Sequence, residues 1–158
     1  MNRIVHLAGL VLALTLGAGA RAGDGFMVVQ SKKGGFEDVR DDVVLAIEAR
    51  GIKINHTNYI ADMLARTGAD LGAGKPVYLK GEQVEFCKSD LSRAQMEADP
   101  GNMVFCPYIL SIYTLPADPG TVHVAYRKPV AAGGNPATAK ALKAVEDLLA
   151  GIVREALN

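Results

Sequence analysis

Only two cysteines occur in the chain, Cys87 and Cys106, and three kinds of chemistry are open to them. An even count in an oxidising compartment reads first as a structural disulfide. A cross-link closing about 20 residues would stabilise by roughly 3 kcal/mol in the chain-entropy model. The second reading is a reactive redox pair: Cys87 lies just before a helix start and beside Lys88, where a thiolate is favoured. The third is a pair of buried free thiols, or of soft ligands. The spacing is not Cys-x-x-Cys, so thioredoxin-like chemistry has no motif here.

Histidine, thioether and carboxylate groups could extend such a site. His56 alternates with Ile52 and Ile54 and reads as a packed histidine with one hydrogen bond. His123 alternates with Val122 and Val124 and should face away from the core. A histidine joined to Cys87 or Cys106, with Met103 nearby, would make a soft metal or haem site; imidazole, thiolate and thioether suit copper, zinc or iron. Of the metal candidates, Cys87, Cys106 and His56 lead. No Cys-x-x-Cys-His run and no helical His pair occurs, so covalent haem and a zinc hydrolase motif lack support. Glu85 opposes the core face set by Val84 and Phe86 and shares a face with Cys87; it is the one carboxylate ranked for binding. Asp62, Asp90 and Glu97 fall on helices, where acids form solvated faces. Neither a Gly-x-Ser-x-Gly elbow nor a phosphate-binding glycine loop is present. Tyr78, Tyr108, Tyr113 and Tyr126 can line a cavity between a curved sheet and a long helix.

The elements that must position these groups follow from periodicity. Residues 26–29 are a short apolar run suited to a buried strand, followed by a loop at 31–35. Residues 36–50 predict an amphipathic helix with Phe36, Val39, Val43, Val44 and Ile47 inward, stopped at Gly51. An alternating strand spans 52–57, with Ile52, Ile54 and His56 on one face. Asn58 could cap a short helix at 59–67, and 68–76 is loop. Residues 77–79 and 83–87 read as strand pieces, either a tight hairpin or one bulged strand. Ser89 or Asp90 caps a helix running to about residue 98, which Asp99-Pro100-Gly101-Asn102 ends. Strands at 108–113 and 121–127 flank a hairpin loop. Asn135 as cap and Pro136 at the first helical position open a final helix. Its stripe is Leu142, Val145, Leu149, Ile152 and Ala156, and it should cover the sheet. Hairpins imply antiparallel pairing, and strands gathered between helices imply an α+β fold.

The chain's 158 residues make one domain, and 49% are apolar, so a core can be buried. Lys+Arg 17 balance Asp+Glu 17, and no basic stripe suggests nucleic acid. Arg3, a Leu-rich run at 4–17 and small-x-small sites at Ala18-Gly19-Ala20 and Ala20-Arg21-Ala22 form the pattern of a cleaved secretory signal peptide. The expected division is a signal peptide at 1–22 and a single domain at 23–158. That places the mature protein in the periplasm or secreted, where disulfides are permitted, with no membrane span after cleavage.

Several motifs in order resemble the domain of unknown function 302 family. They are Val84-Glu85-Phe86-Cys87, Glu97-Ala98-Asp99-Pro100, Phe105-Cys106-Pro107-Tyr108 and Ile112-Tyr113, with Gly51 to Ile54 also fitting. The match runs from about Met27 to Pro129, and the block at 56–72 resembles a longer, secreted branch. The resemblance implies a β-α-β(4)-α antiparallel sheet with helices packed on one face and short extra helices in the connections, similar to the TATA-box-binding-protein architecture. It implies no reaction. Many members carry a Pro-Cys pair where this chain has Cys106-Pro107, which would move the thiol to the opposite strand face if pairing is unshifted.

Two functional readings follow. The first is a non-enzymatic extracytoplasmic module that binds a small ligand, a metal, haem or a protein partner. Its binding candidates are His56, Glu85, Cys87, Cys106, Tyr108 and His123, and a homodimer is compatible with it. The second is a thiol-dependent redox protein using Cys87 and Cys106. The first is favoured because no catalytic constellation is complete; the cofactor, if any, stays open.

Overall fold

In the computed structural model, described over residues 25–131 and 133–158, the last helix carries the clearest local signal. Asn135 accepts at Oδ1 from the Ala137 and Thr138 amides, and Pro136 opens α4 (Pro136–Ala156). The cap satisfies orphan donors of the first turn. Leu142, Val145, Leu149, Ile152, Val153 and Ala156 are all buried. They pack over the sheet beside α1 (Phe36–Glu48), which buries Phe36, Val39, Val43, Ala46 and Ile47. Gly51, at φ 69°, takes the left-handed conformation after α1, and Arg50 bonds both Ala46 O at 2.6 Å and Glu155 at 2.8 Å, tying α1 to α4.

Five strands form one antiparallel sheet in the order β1-β5-β4-β3-β2. They are β1 (Met27–Lys33), β2 (Ile54–Tyr59), β3 (Lys80–Phe86), β4 (Tyr108–Leu115) and β5 (Asp118–Arg127). The short helices α2 (Ile60–Asp70) and α3 (Ser89–Ala98) and a 3-10 helix (Pro100–Phe105) occupy the connections. The fold is therefore α+β in the β-α-β(4)-α order, with α1, α3 and α4 on one face. Val84, Phe86, Tyr108, Leu110, Ile112, Val122, Val124 and Tyr126 supply the sheet side of the core. By register, the other face carries Gln83, Glu85, Ile109, Ser111, Tyr113, His123 and Ala125.

Several expectations are corrected. The first strand is not buried: β1 is an edge strand, continues through Lys33 where a loop was expected, and leaves Met27 and Val29 exposed. Residues 77–79 form no hairpin with 83–87: Lys80-Gly81-Glu82 lie inside β3, whose register with β4 is unbroken, and the Leu79 amide leads into it by donating to Thr114 O at 3.1 Å. Tyr78 instead lies against Gly81, where a Cβ would meet Tyr78 and Ala61. Asn58 caps nothing; it sits in β2, and α2 extends to Asp70 with no fully buried residue. The expected signal peptide at 1–22 lies outside the described residues. Among the described residues no helix is long and apolar enough to cross a membrane.

Candidate functional site

Pairing of Phe86 with Tyr108 sets the end of β3 beside the start of β4. Cys87 is the first residue past β3, and Cys106 is the last residue before Pro107 and β4. The chain leaves through α3, returns through the 3-10 helix, and brings the sulfurs to 3.6 Å without a bond. The structural-disulfide reading is thus not what the structure contains: both thiols are free and half-buried. Cys106 precedes the ladder, so strand alternation does not set its face, and its side chain packs against the core.

Helix α3 supplies the surroundings. Ser92 and Gln95 are three residues apart and share a helix face. Ser92 Oγ is 3.2 Å from Cys106 Sγ and 3.3 Å from the Tyr108 hydroxyl. Gln95 Nε2 donates to Cys106 Sγ at 3.5 Å, and Cys87 donates its S–H to the same sulfur. Three groups capable of donating therefore converge on Cys106. Gln95 is 0% exposed, and its Oε1 is the one buried side-chain N or O atom without a hydrogen bond among the described residues. Its backbone carbonyl accepts from Asn102 Nδ2 at 2.8 Å, and the same amide reaches Thr138 of α4. The residue is held in place from two sides.

The electrostatics reverse the expectation for Cys87. Burial, followed by its hydrogen bond to Cys106 and the charge there, pushes its thiol up from the ordinary value. The Tyr108 amide and Ser92 oppose that only in part. Lys88, expected to favour a thiolate, is paired with Asp90. Burial pushes the Tyr108 phenol up to about 12, so it is a proton donor at neutral pH.

The other candidates do not join the thiols. In β2 the pairing passes from Ile54↔Phe86 directly to His56↔Glu85, leaving Asn55 as the extra residue of a bulge. That bulge turns His56 away from the isoleucines and leaves it exposed, so the packed-histidine reading is corrected. Glu85 faces the open side and accepts from Asn58 Nδ2 at 2.5 Å, not from a group near Cys87. His123 faces away from the core as expected and stacks on Tyr113 at 4.9 Å, while Tyr78 meets Tyr113 edge-on at 5.3 Å. Met103 is 65% exposed. Among the described residues no three His, Cys, Asp or Glu side chains gather to hold a metal ion.

A groove of about 580 Å3 opens where β4 begins and β5 ends, lined by Phe26, Val104, Phe105, Pro107, Tyr108 and Tyr126 among others. The expected cavity between sheet and long helix is filled by core, in which Tyr108 and Tyr126 are buried; both also border this groove, and Tyr78 and Tyr113 do not. Sequence reasoning missed Ser92 and Gln95. A usable signal existed: with Leu91 and Met96 they mark the inward side of α3, so two polar groups occupy core-facing positions right after a cysteine.

Comparison with known proteins places this geometry. No curated protein matches the chain. The crystal structure of an uncharacterized conserved DUF302 protein from Bacillus stearothermophilus superposes with a TM-score of 0.70 at 15% identity, covering 84% of this chain and 99% of that one. At that identity the likeness concerns the fold alone. The family model for "Domain of unknown function DUF302" matches residues 27–156, nearly the whole described domain, and the chain therefore belongs to the DUF302 family.

Proposed function

We propose that the chain is a thiol-based redox protein whose working unit is the Cys87–Cys106 pair, acting outside the cytoplasm in a secreted branch of its family. The 3.6 Å separation of two free, half-buried sulfurs carries this reading. Bond formation needs them to close to about 2.05 Å. Both thiols are oxidised in that step, giving two electrons and two protons to an acceptor. Among the described residues a soft ion would find two sulfurs and no third His, Cys, Asp or Glu, which supports electron transfer over metal storage. The apolar run at 4–17 and its cleavage sites support export; N-terminal sequencing of native protein should begin near Gly23.

The test is equilibration in glutathione buffers of graded ratio, acid quench, alkylation and intact mass. A cooperative passage from two labelled thiols to none is expected. Two labelled thiols in the most oxidising buffer would overturn the reading. The apolar groove beside Tyr108 favours a second reading, binding of an apolar small ligand. Saturable quenching-free titration with an apolar fluorescent probe, lost on Val104→Asp, would support it, and absence of saturation would remove it.

A further inference from the structure

Among the described residues no donor reaches the buried carbonyl oxygen Gln95 Oε1. Such a group costs free energy and asks for an explanation. Its own side chain touches Cys106 through the other end of the amide. In the reduced protein Cys87 donates to Cys106, Ser92 lies within hydrogen-bond distance of both that sulfur and the Tyr108 hydroxyl, and none of these groups, nor the Cys106 S–H, is bonded to Oε1. The acceptor is therefore open to an O–H that the resting site does not bring to it. One oxidation state of cysteine adds an O–H to the sulfur that the other end of this amide touches, the sulfenic acid. Thiol–disulfide exchange creates no O–H at any stage.

Resting on the redox reading above, we infer that the oxidant is a small hydroperoxide, that Cys106 attacks it, that Cys87 resolves the product, and that Gln95 Oε1 receives the sulfenic hydroxyl. In the first step Cys106 gives up its S–H proton and its sulfur attacks the terminal oxygen of R–O–O–H. An S–O bond forms, the O–O bond breaks, and the departing RO⁻ takes a proton to leave as ROH. Cys106 sulfur loses two electrons and the peroxide gains them. In the second step the Cys87 sulfur attacks Cys106 sulfur and the S–O bond breaks. The departing hydroxide combines with the Cys87 proton as water, and the disulfide remains. The Tyr108–Ser92 hydroxyl pair, ending 3.2 Å from Cys106 Sγ, is placed to protonate the leaving oxygen.

The roles of the two cysteines follow from the asymmetry between them. Cys106 receives the donors, whereas Cys87 keeps its proton until an electrophilic sulfur appears beside it. Ser92, Gln95 and Cys87 close three sides of Cys106 sulfur. A molecule with two oxygens needs less clearance there than a mixed disulfide, which must set a whole second thiol compound in line.

The experiment uses the full exported chain and hydrogen peroxide at stoichiometric dose. Wild type should lose both labelled thiols as one intramolecular disulfide. Cys87→Ser should gain the mass of one oxygen on Cys106 and react with a sulfenic-acid trap. Cys106→Ser should leave Cys87 at least about tenfold slower to oxidise, as exposure and thiolate character dictate. Adding Gln95→Met to Cys87→Ser should shorten the trapped sulfenic acid's lifetime by roughly tenfold, a readout that a purely structural role would not move. If Cys87→Ser does not fold, a brief peroxide pulse with trap on wild type maps the first oxidised sulfur instead. Disulfide formation in glutathione buffer with no oxygen on Cys106 would overturn the hydroperoxide inference and leave the redox reading standing. No disulfide from either reagent would remove both. Equal oxidation of the two single variants would overturn the assignment of roles.

Discussion

Replacing Gln95 by methionine should make the protein more stable. The two side chains are close in volume, so packing at this fully buried position is nearly conserved. The substitution removes the unpartnered Oε1, whose desolvation costs about 1–3 kcal/mol. It also removes the Nε2 bond to Cys106 Sγ. At 3.5 Å to sulfur that bond belongs at the weak end of the range, about 0.5 kcal/mol. The backbone bond from Asn102 to Gln95 O is untouched. The balance is a gain of about 1 kcal/mol. In urea, with a slope of about 2 kcal/mol/M, the midpoint should rise by about 0.5 M at unchanged slope. The melts are run in reductant, so that no disulfide enters the comparison. A fall of the midpoint by as much would refute the reasoning, since it would mean that the amide is fully satisfied in the fold. A rise in stability together with slower peroxide chemistry would mark Gln95 as a residue kept for reactivity against the interest of the core.

Three further outcomes are expected. Leu149→Ala, at a position 3% exposed in the core, should cost about 2–5 kcal/mol in denaturant melts; a loss below about 0.5 kcal/mol would show that α4 is not docked. Asn135→Ala should cost about 1 kcal/mol, because it removes the acceptor for the Ala137 and Thr138 amides, and Asn135→Asp should recover most of it. Burial holds the Tyr108 phenol at about 12 against an ordinary 10.0 and raises Cys87 above 9.0. Both groups keep protons in the fold that the unfolded chain releases, so their stabilisation is full below the ordinary values and is lost as pH rises through the folded ones. The Tyr108 share, on the order of 2–3 kcal/mol, should disappear between pH 10 and about 12, and Tyr108→Phe should flatten stability over that window.

The parts of the fold legible in the sequence are those set by neighbours along the chain. Asn135-Pro136 and the stripe from Leu142 to Ala156 declare α4 because cap, first turn and inward face are all local. The β4–β5 hairpin and α1 are legible for the same reason. What depends on pairing between distant residues was not. The bulge at Asn55 exists only relative to β3, and it inverts the side on which His56 stands. The apolar look of Met27-Val28-Val29 suits a buried strand, yet β1 lies at a sheet edge with one neighbour, β5. The approach of Cys87 to Cys106 was readable from the strand–helix–strand order, since both stand at strand ends. The direction of their sulfurs was not, because neither lies within a ladder. Gln95 shows the opposite failure: its helical position was available, but a buried glutamine has no motif, and only its missing partner gives it meaning.

The pairing of β1 with β5 has a consequence for how the chain comes together. Met27 meets Arg127, and among the described residues β1 pairs with no other strand. The first strand to leave a ribosome or a translocation pore must therefore wait for the last strand, with α4 still to follow. Closure of so long a loop is entropically costly until the contacts that reward it exist, and such topologies fold slowly. A chain exported N-terminus first would thus stay threadable through most of its passage. Its sheet would close only once β5 had emerged.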